Sequence, residues 1–368
     1  MKILTILGTR PEIIKLSPII PLLDKKFKHI LVHTGQHYSY NMDKIFFEEL
    51  ELRQPDYMLE IGSGSHAEQT GNMMIGIEKV LIKEQPDYVI VYADPNTPLA
   101  GALAAIKLNI PVVHLEAGCR SFNKKMPEEI NRIVADHCSE ILVAADEAAY
   151  NNLKREGLDV SKAYIVGSFA VEPILRSKYI ANKKSNILEN LAIKKEEYAV
   201  VTIHRAENTD NIKTFKSLIE ALNEVSKKIP IIFPMHPRTK KIVEVNKMSI
   251  SKQIIVLEPL GYLDFIKLMD NSLFIMSDSG GIQEEAAVID IPCLILRNET
   301  EWTYLTDAGK NMLLGTDKNK IISKATALLK DREKLRQMKK IRVPIKTGVA
   351  DGVVKIFKKL EGKNGNKK

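Results

Sequence analysis

The chain has 368 residues, of which 45% are hydrophobic and 27% are charged, and its formal net charge at pH 7 is +8. This length exceeds one typical domain and the apolar content is ordinary for a globular protein, so we expect two α/β domains. The aromatic content is only 6%, and basic residues do not alternate with aromatic ones, which disfavours a nucleic-acid-binding protein.

The cysteines indicate a reducing compartment, and the apolar runs indicate neither a signal peptide nor a membrane span. Cys119, Cys138 and Cys293 are scattered along the chain, which disfavours a disulfide framework or a zinc cluster. The N-terminal apolar run is too short for a signal peptide, and no run approaches the ~18 apolar residues of a membrane span. We therefore expect a cytoplasmic protein that binds no membrane.

Short β-rich segments alternate with amphipathic segments along the first half of the chain. The strand-like segments are KILTIL, KHILVHTG, YVIVYAD, PVVHLEAG and EILVAA. The helical segments between them include PEIIKLSPIIPLLDKKF, SYNMDKIFFEEL and PLAGALAAIKL. This βαβα alternation predicts a parallel sheet with helices on both faces.

The same alternation restarts after residues 168–190. Its strand-like segments are AVVTIH, IIFPMH, IIVLEP, LFIMSD and PCLILR. We therefore predict two Rossmann-like α/β domains, with the N-terminal one at 1–170 and the C-terminal one at 171–349. A C-terminal helix at about 350–366 is expected to pack back on the N-terminal domain.

Distinctive polar residues follow many of these strands. They are Gly8 to Arg10, Gly35 to His37, Asp94, His114 to Gly118, His204 with Arg205, His236, and Ser277 to Gly281. In an open α/β sheet, ligands bind outside the carboxyl ends of the strands. Two such domains that face each other would line one cleft, so we expect the functional site there.

The segment GTRPEIIKLSP follows the first strand and differs from the common phosphate loops. It has neither GxGxxG nor GxxxxGK[ST] spacing, which weighs against a nicotinamide cofactor and against a nucleoside-triphosphatase. Its cations, Arg10 and Lys15, are suited to a diphosphate or a sugar carboxylate. A structural ion pair is the alternative for Arg10.

The segment SDSGGIQEEA joins a predicted strand to a predicted helix. Gly280 and Gly281 would let the backbone approach a ligand, and the free N–H groups of a helix start favour an anion. Ser279 would add a hydroxyl group, and Glu285 would accept hydrogen bonds from ribose hydroxyls. The alternative is a Ser/Asp helix cap with a capping-box acid.

Three acids are candidates for general acid–base chemistry. Asp94 and Glu116 each follow a buried strand, and Glu128 stands near the start of a helix. Carboxyl groups that emerge from apolar strands into a cleft are expected to have shifted pKa values. Complementing a helix dipole is the alternative role for Glu128.

The segment TIHRAENTDN places His204 and Arg205 together at a strand end, and His236 repeats the placement on the next strand. The histidine is suited to donate a proton and the arginine to bind phosphate. Metal binding is weakly supported, because no HxxxH pair encloses an acid. No GxSxG segment occurs, which disfavours a serine hydrolase.

Taken in order, these motifs resemble the non-hydrolysing UDP-N-acetylglucosamine 2-epimerase family. The resemblance is carried by GTRPEIIKLSP, TGQH, HLEAGCRSFNKKMPEEINRI, TIHRAEN, PMHPRT, EPLGYLDFI and SDSGGIQEEA. It implies a glycosyltransferase-B-like fold with the active site between two Rossmann-like domains. It also implies an isomerase that converts UDP-GlcNAc to UDP-ManNAc reversibly and requires neither NAD nor a metal as cofactor.

The resemblance further implies a mechanism, in which anti elimination of UDP gives 2-acetamidoglucal and UDP then adds back. The implied catalytic residues are Lys15, Asp94, Glu116, Glu128 and His204. The implied substrate-binding residues are Arg10, Arg205, Ser279, Gly280, Gly281 and Glu285. The three acids would surround C2, and His204 would assist the departure of UDP.

Some implied properties go beyond the catalytic centre. Bacterial members bind a second, activating UDP-GlcNAc molecule, and Gln36, His37 and His236 resemble part of that site. The resemblance also implies a homodimer and a supply of ManNAc-type sugars for a surface polysaccharide or glycan.

Three loops depart from the family pattern. The loop Ala93–Pro98 lacks the usual Gly before Asp94, with Thr97 and Pro98 as an expected helix cap and first helical residue. The linker Ser168–Glu172 is interpreted as lacking the usual acid and amide groups, and Trp302–Thr303 replaces the commoner Arg-Pro. These changes leave two alternatives open, a 2-epimerase of a modified UDP-sugar such as a diacetamido uronate and a catalytically weak UDP-sugar binder. A hydrolysing variant is a third alternative, because some of the motifs are shared with hydrolysing relatives.

Overall fold

The structure, a computed structural model, describes residues 1–36, 40–343 and 346–365. The chain forms two compact units. Unit 1 comprises Met1–Pro173 and Lys346–Lys368, and unit 2 comprises Ile174–Ile345. Across the described ranges, none of the helices combines the length and the apolar character that crossing a membrane requires.

The described part of unit 1 contains a seven-stranded parallel sheet in the order β3-β2-β1-β4-β5-β6-β7. Its strands are β1 (Lys2–Leu7), β2 (Lys28–His33), β3 (Tyr57–Met58), β4 (Tyr88–Tyr92), β5 (Val112–Leu115), β6 (Ile141–Ala144) and β7 (Ala163–Ile165). Its helices are α1 (Arg10–Leu16), α2 (Ile20–Lys26), α3 (Tyr40–Glu49), α4 (His66–Glu84), α5 (Asn96–Lys107), α6 (Pro127–Cys138), α7 (Glu147–Arg155) and the C-terminal helix (Val349–Gly365), with a 3-10 turn at Val160–Lys162.

The described part of unit 2 contains a six-stranded parallel sheet in the order β10-β9-β8-β11-β12-β13. Its strands are β8 (Ala199–Thr202), β9 (Ile231–Pro234), β10 (Ile254–Leu257), β11 (Ile275–Ser277), β12 (Cys293–Ile295) and β13 (Met312–Leu313). The helices after α7 are α8 (Val171–Lys184), which contains the unit boundary, α9 (Ile187–Asn190), α10 (Ala206–Thr209), α11 (Ile212–Ser226), α12 (Pro237–Val245), α13 (Tyr262–Asn271), α14 (Gly280–Val288), α15 (Thr303–Asp307), α16 (Lys318–Lys330) and α17 (Arg332–Lys340). The C-terminal helix, Val349–Gly365, is therefore α18.

Both sheets have the doubly wound strand order, which confirms the predicted fold class of parallel sheets covered by helices. The central strands are apolar along their whole length, as in Tyr88–Tyr92, where every residue is buried, because helices cover both faces of a parallel sheet. The strand order reverses between β1 and β4 in unit 1 and between β8 and β11 in unit 2. A crevice at such a switch point is where ligands bind in this kind of sheet.

The helix after β4 begins earlier than predicted, so the expected Thr97 cap is wrong. Pro95 is the N-cap residue and α5 starts at Asn96. The Thr97 hydroxyl donates instead to Gln36 Oε1, at 2.8 Å, and the Thr97 amide donates to the same oxygen at 3.0 Å. A partner on a distant loop thus replaces the local capping bond.

The interpretation that the linker lacks an acid near its end is also wrong, because Glu172 supplies one. The carboxylate of Glu172 accepts hydrogen bonds from the amides of Gly348, Val349 at 3.1 Å and Ala350 at 2.8 Å. These amides belong to the start of α18, whose first N–H groups have no partner inside the helix. Glu172 therefore fixes the C-terminal helix where the chain re-enters unit 1.

We expect Glu172→Ala to lower the free energy of unfolding by about 1–3 kcal/mol, because it leaves three amides without their acceptor. Glu172→Gln should cost less, since its oxygen still accepts but the charge at the helix start is lost. Urea unfolding followed by circular dichroism measures both. Glu361→Gln, on the same helix but in an exposed pair with the N-terminus, is the control and should cost under about 1 kcal/mol; equal losses for Glu172→Ala and this control would contradict the assignment.

Candidate active site

The switch-point crevice of unit 1 contains a cavity of about 260 Å³. Its lining comes mainly from the turns after β1 and β4 and from the start of α6, and includes Glu12, Gln36, Tyr92, Asp94 and Glu128. Three residues predicted from the sequence, Gln36, Asp94 and Glu128, are thus brought to one cavity. Carboxyl groups around a small concave site are suited to proton transfer.

Asp94 is held in place by helix α6. Arg132 contacts Asp94 Oδ2 through Nε at 2.8 Å and Nη2 at 2.7 Å, while its Nη1 contacts Glu129 Oε2 at 2.7 Å. The amide of the Asn131 side chain donates to the Asp94 carbonyl oxygen at 2.9 Å. Pro95 therefore does not prevent Asp94 from lining the cavity, and sequence reasoning missed Arg132 although it lies within the quoted motif.

A buried network supports the backbone immediately before Asp94. Ala93 has a left-handed φ of 56°, and its carbonyl oxygen is 2.9 Å from His114 Nε2. His114 Nδ1 lies 2.6 Å from Asp136, which also contacts Arg120 at 2.7 Å. Burial favours the neutral imidazole, but the Asp136 carboxylate, the Ala93 carbonyl and the charge of Glu116 together raise the pKa of His114. This network holds Ala93 in a conformation that non-glycine residues rarely adopt.

Glu116 lies close to Tyr92 and Lys15. Burial raises the pKa of Glu116, while a hydrogen bond from Tyr92 and the charge of Lys15 oppose the rise. The pKa of Tyr92 is itself well above its usual value because the ring is buried and Glu116 is near. Since Tyr92 also lines the cavity, its hydrogen bond links Glu116 to the cavity. The other predicted cation, Arg10, stacks on the ring of Phe46 with 5.5 Å between Cζ and the ring centre.

Sequence reasoning missed Glu12, which also lines the cavity. Its side chain is 1% exposed, and its Oε2 accepts a hydrogen bond from the Gly8 amide at 3.0 Å. Burial raises the pKa of Glu12 to about 8. The Thr9–Glu12 spacing matches an ordinary helix N-terminus, so the sequence pattern does not indicate an unusual acid at this position.

In unit 2, the buried carboxylate of Asp278 joins the turns that follow β8 and β11. Asp278 is fully buried and accepts hydrogen bonds from the amides of His204 at 3.1 Å and Arg205 at 3.0 Å. It also accepts one from the side chain of Asn208 at 3.0 Å. Because these bonds fix the backbone, His204 and Arg205 are presented at the switch-point crevice of this sheet.

Polar side chains surround the first turn of α14. A Cβ atom on Gly280 would lie 3.5 Å from Glu301 Oε2, 3.7 Å from Trp302 Nε1 and 3.8 Å from Arg205 Nη2. A Cβ atom on Gly281 would meet no described atom within 4 Å. A guanidinium, an indole N–H and the Glu301 carboxylate therefore lie beside Gly280, and open space lies beside Gly281. The helix N–H groups, the guanidinium and the indole N–H are suited to bind an anion there.

The helix-cap alternative for this segment is wrong. Ser279 is the N-cap residue of α14, but its side chain makes no capping hydrogen bond among the described residues. The third helical position is Ile282, which cannot close a capping box. The Asp278 carboxylate accepts hydrogen bonds from the turn after β8, so neither polar side chain caps the helix.

The altered segment around Trp302 retains an anchored acid. Arg297 contacts Glu207 Oε1 through Nε at 2.7 Å and Glu301 through Nη1 at 3.0 Å. The charge of Glu301 is thereby compensated next to the anion site. Trp302 places a neutral hydrogen-bond donor, the indole N–H, beside Gly280.

Glu285 lies on α14 close to Tyr262 of α13. Burial raises the pKa of Tyr262 well above its usual value, and the negative charge of Glu285 acts in the same direction. The predicted residues of the unit 2 site thus belong to the turns and helices at one end of the sheet. They are His204, Arg205, Ser279, Gly280, Gly281 and Glu285. A larger cavity of about 540 Å³, lined by Lys213 and Thr316, contains none of them.

The residues expected at a second substrate site have identifiable local roles. Gln36 orders the β4–α5 turn through its bonds to Thr97. His236 is the N-cap residue of α12, and its Nδ1 accepts a hydrogen bond from the Arg238 amide at 3.2 Å. His37 lies outside the described residues. In the described ranges, no group of three or more His, Cys, Asp or Glu side chains is arranged to hold a metal ion.

Comparison with known proteins identifies close relatives. A model of the family described as UDP-N-acetylglucosamine 2-epimerase matches residues 23–360. A UDP-N-acetylglucosamine 2-epimerase from Methanococcus maripaludis is 50% identical over 89% of this chain and 92% of the relative. A UDP-2,3-diacetamido-2,3-dideoxy-D-glucuronate 2-epimerase from Pseudomonas aeruginosa is 42% identical over the same shares.

A solved structure is also similar over nearly the whole chain. It is the UDP-GlcNAc 2-epimerase of Methanocaldococcus jannaschii in complex with UDP-GlcNAc and UDP. The identity is 47%, the TM-score is 0.78, and the match covers 97% of this chain and 99% of that one.

We expect Asp136→Asn to lower the free energy of unfolding by about 3–5 kcal/mol, because it removes the charge that pairs with fully buried His114 and Arg120. Asp24→Asn is a matched control, since Asp24 also lies 2.6 Å from a histidine Nδ1, that of His29, but is partly exposed. The control should lose about 1 kcal/mol or less. Chemical unfolding measures both, and equal losses would show that the buried network does not support the Ala93 turn.

Proposed function

The chain belongs to the UDP-N-acetylglucosamine 2-epimerase family, whose reaction makes its members isomerases, and from this premise we propose that it interconverts UDP-GlcNAc and UDP-ManNAc. The observation that carries the proposal is the cavity of unit 1, where Asp94 and Glu128 meet at the β1/β4 switch point. The UDP-GlcNAc bound to the Methanocaldococcus jannaschii relative supports the substrate.

The proposed reaction is an elimination followed by an addition. A carboxylate removes the proton from C2, the C2–H electron pair forms the C1=C2 bond, and the C1–O bond breaks as UDP departs with its electrons. In the return step, a UDP oxygen adds to C1 and an acid delivers a proton to the opposite face of C2. The hydrogen on C2 is weakly acidic, so a positioned base and a stabilised leaving group are both required.

Unit 1 supplies the proton-transfer groups in this proposal. Asp94, fixed by the guanidinium of Arg132, is suited to act as a carboxylate base. Glu116, whose pKa is raised by burial, is suited to donate a proton. Two carboxyl groups whose environments differ in this way fit an acid–base pair that exchanges roles when the reaction reverses. Glu128 lines the same cavity and completes the set of acids.

Unit 2 supplies the groups for the UDP leaving group. We assign the diphosphate to Arg205, Ser279 and the N–H groups of Gly280 and Gly281, which are supported by the open space at the start of α14. His204 would protonate or hydrogen-bond the departing oxygen, and the ribose hydroxyls would contact Glu285. Arg10 and Lys15 of unit 1 are assigned as additional cations for the diphosphate.

A second candidate substrate is a diacetamido uronate linked to UDP. The Pseudomonas aeruginosa relative, whose name gives that substrate, is 42% identical to this chain, and Trp302 changes the surroundings of Gly280. Side-by-side turnover of the two sugar nucleotides decides between them. Accumulation of free UDP would indicate the hydrolysing variant, and tight UDP binding without turnover would indicate a binder.

The cellular setting belongs to the same proposal. We propose a cytoplasmic homodimer that supplies ManNAc-type sugars for a surface polysaccharide or glycan. The three cysteines are present as thiols in the structure, as is usual for a reducing compartment. The oligomeric state can be measured by light scattering.

We expect the protein to incorporate one deuterium at C2 when it turns over UDP-GlcNAc in deuterated water. Asp94→Asn should reduce incorporation about 10²–10⁴-fold, because the positioned base is lost. Glu140→Gln is the control, since Glu140 pairs only with exposed Lys162 among the described residues, and it should keep full activity. Product inversion without deuterium at C2 would rule out the elimination, and unchanged exchange in Asp94→Asn would remove Asp94 from it.

A further inference from the structure

Glu12 has a carboxyl oxygen whose purpose the fold does not explain. The side chain is 1% exposed, and Oε2 accepts the hydrogen bond from the Gly8 amide at 3.0 Å. Oε1 is buried and has no hydrogen-bond partner among the described residues. Glu12 lines the same cavity as Asp94, so its carboxyl group borders the region where the reaction is proposed.

The surroundings of Glu12 favour its neutral form. The other titratable groups that line the cavity are His66, Tyr92, Asp94 and Glu128. Of the cations in this region, Arg132 pairs with Asp94, Lys15 of the same helix acts on Glu116, and Arg10 stacks on Phe46. Burial raises the pKa of Glu12 to about 8, with the negative charge of Asp94 acting in the same direction and hydrogen bonds from Gly8 and Thr9 opposing it.

The position of the proton follows from the hydrogen bonds. Oε2 accepts from an N–H group, so the proton of the neutral acid belongs on Oε1. A buried O–H group without an acceptor is costly to the fold. A helix-capping role accounts for Oε2 but leaves Oε1 unexplained. An acceptor supplied by a bound molecule would satisfy it.

We propose that the Oε1 hydroxyl of Glu12 donates a hydrogen bond to an oxygen acceptor, a hydroxyl or an acetamido carbonyl, of the hexose in the bound sugar nucleotide. Glu12 is then a further substrate-binding residue, one that recognises the sugar and not the UDP. The inference rests on the proposed function for the identity of the ligand, and it adds a neutral carboxylic acid to a cavity otherwise assigned to proton transfer.

Glu12→Gln and Glu12→Met test this donor. In the glutamine variant the amide oxygen can accept from Gly8, and the amide N–H₂ takes the place of the Oε1 hydroxyl at every pH. The methionine variant has a similar length but no donor. UDP, which lacks the hexose, is the internal control for UDP-GlcNAc binding in each variant, and calorimetric titration from pH 6 to pH 10 measures both ligands.

For the wild-type protein, we expect UDP-GlcNAc binding to weaken about tenfold relative to UDP as pH rises through about 8, because the acid loses its proton. Glu12→Gln should bind within about threefold of the wild type at pH 7 and should lack this pH dependence. Glu12→Met should bind UDP-GlcNAc about tenfold more weakly at pH 7 with UDP binding unchanged.

Two results would overturn the proposal. One is a pH dependence that persists unchanged in Glu12→Gln or is absent from the wild type; the other is a Glu12→Met variant that is folded and binds UDP-GlcNAc as the wild type does. If Glu12→Met does not fold, the comparison of wild type with Glu12→Gln still decides. Because the titration reports binding whether or not the sugar nucleotide is turned over, a protein that binds UDP-GlcNAc but exchanges no proton at C2 would refute the proposed function and leave the Glu12 comparison valid.

Discussion

A fully buried carboxylate under each switch point is the interaction on which both candidate sites depend. Asp136 holds His114, which holds the carbonyl of Ala93 and so sets the course of the chain at Asp94. Asp278 holds the turn after β8 in unit 2 through backbone amides. A buried charge is tolerated only when it is paired or hydrogen-bonded. The hydrogen bonds of these two carboxylates stabilise the turns that carry the functional residues. In each unit, the buried carboxylate thereby fixes the polar turns that line the crevice at the switch point of the sheet.

The two crevices differ in chemistry because their turns differ in charge. In unit 1, carboxyl groups gather at the cavity, and burial raises the pKa of Glu12 to about 8 and also raises the pKa of Glu116. In unit 2, the start of α14 presents N–H groups beside Arg205 and the indole of Trp302. An epimerisation by elimination needs both kinds of group, acids and bases at C2 and donors for the departing diphosphate. The sequence departures at Ala93 and Trp302 are accommodated without removing either.

The sequence predicts the central strands well, because a strand buried on both faces is a continuous apolar run. It misses β3, β7 and β13, which have only two or three residues at sheet edges and leave little apolar pattern. Of the site, residues at strand ends such as Asp94 were predicted, since the fold places them there. Arg132 and Glu12 were missed because their importance comes from tertiary contacts, and both also fit ordinary helix patterns. The prediction of Thr97 as a helix cap was wrong for the same reason, since the Thr97 hydroxyl donates its hydrogen bond to Gln36.

The location of the diphosphate is tested most directly by the fluorescence of Trp302, the one tryptophan in the sequence. Its indole nitrogen lies near the start of α14, so UDP titration should change the emission in a saturable way. Arg205→Ala should weaken UDP binding at least about tenfold, because a charged hydrogen-bond donor is lost, whereas Lys213→Ala, in the larger cavity, should bind UDP normally. Weak binding by Lys213→Ala together with normal binding by Arg205→Ala would place the nucleotide in the larger cavity and contradict the account.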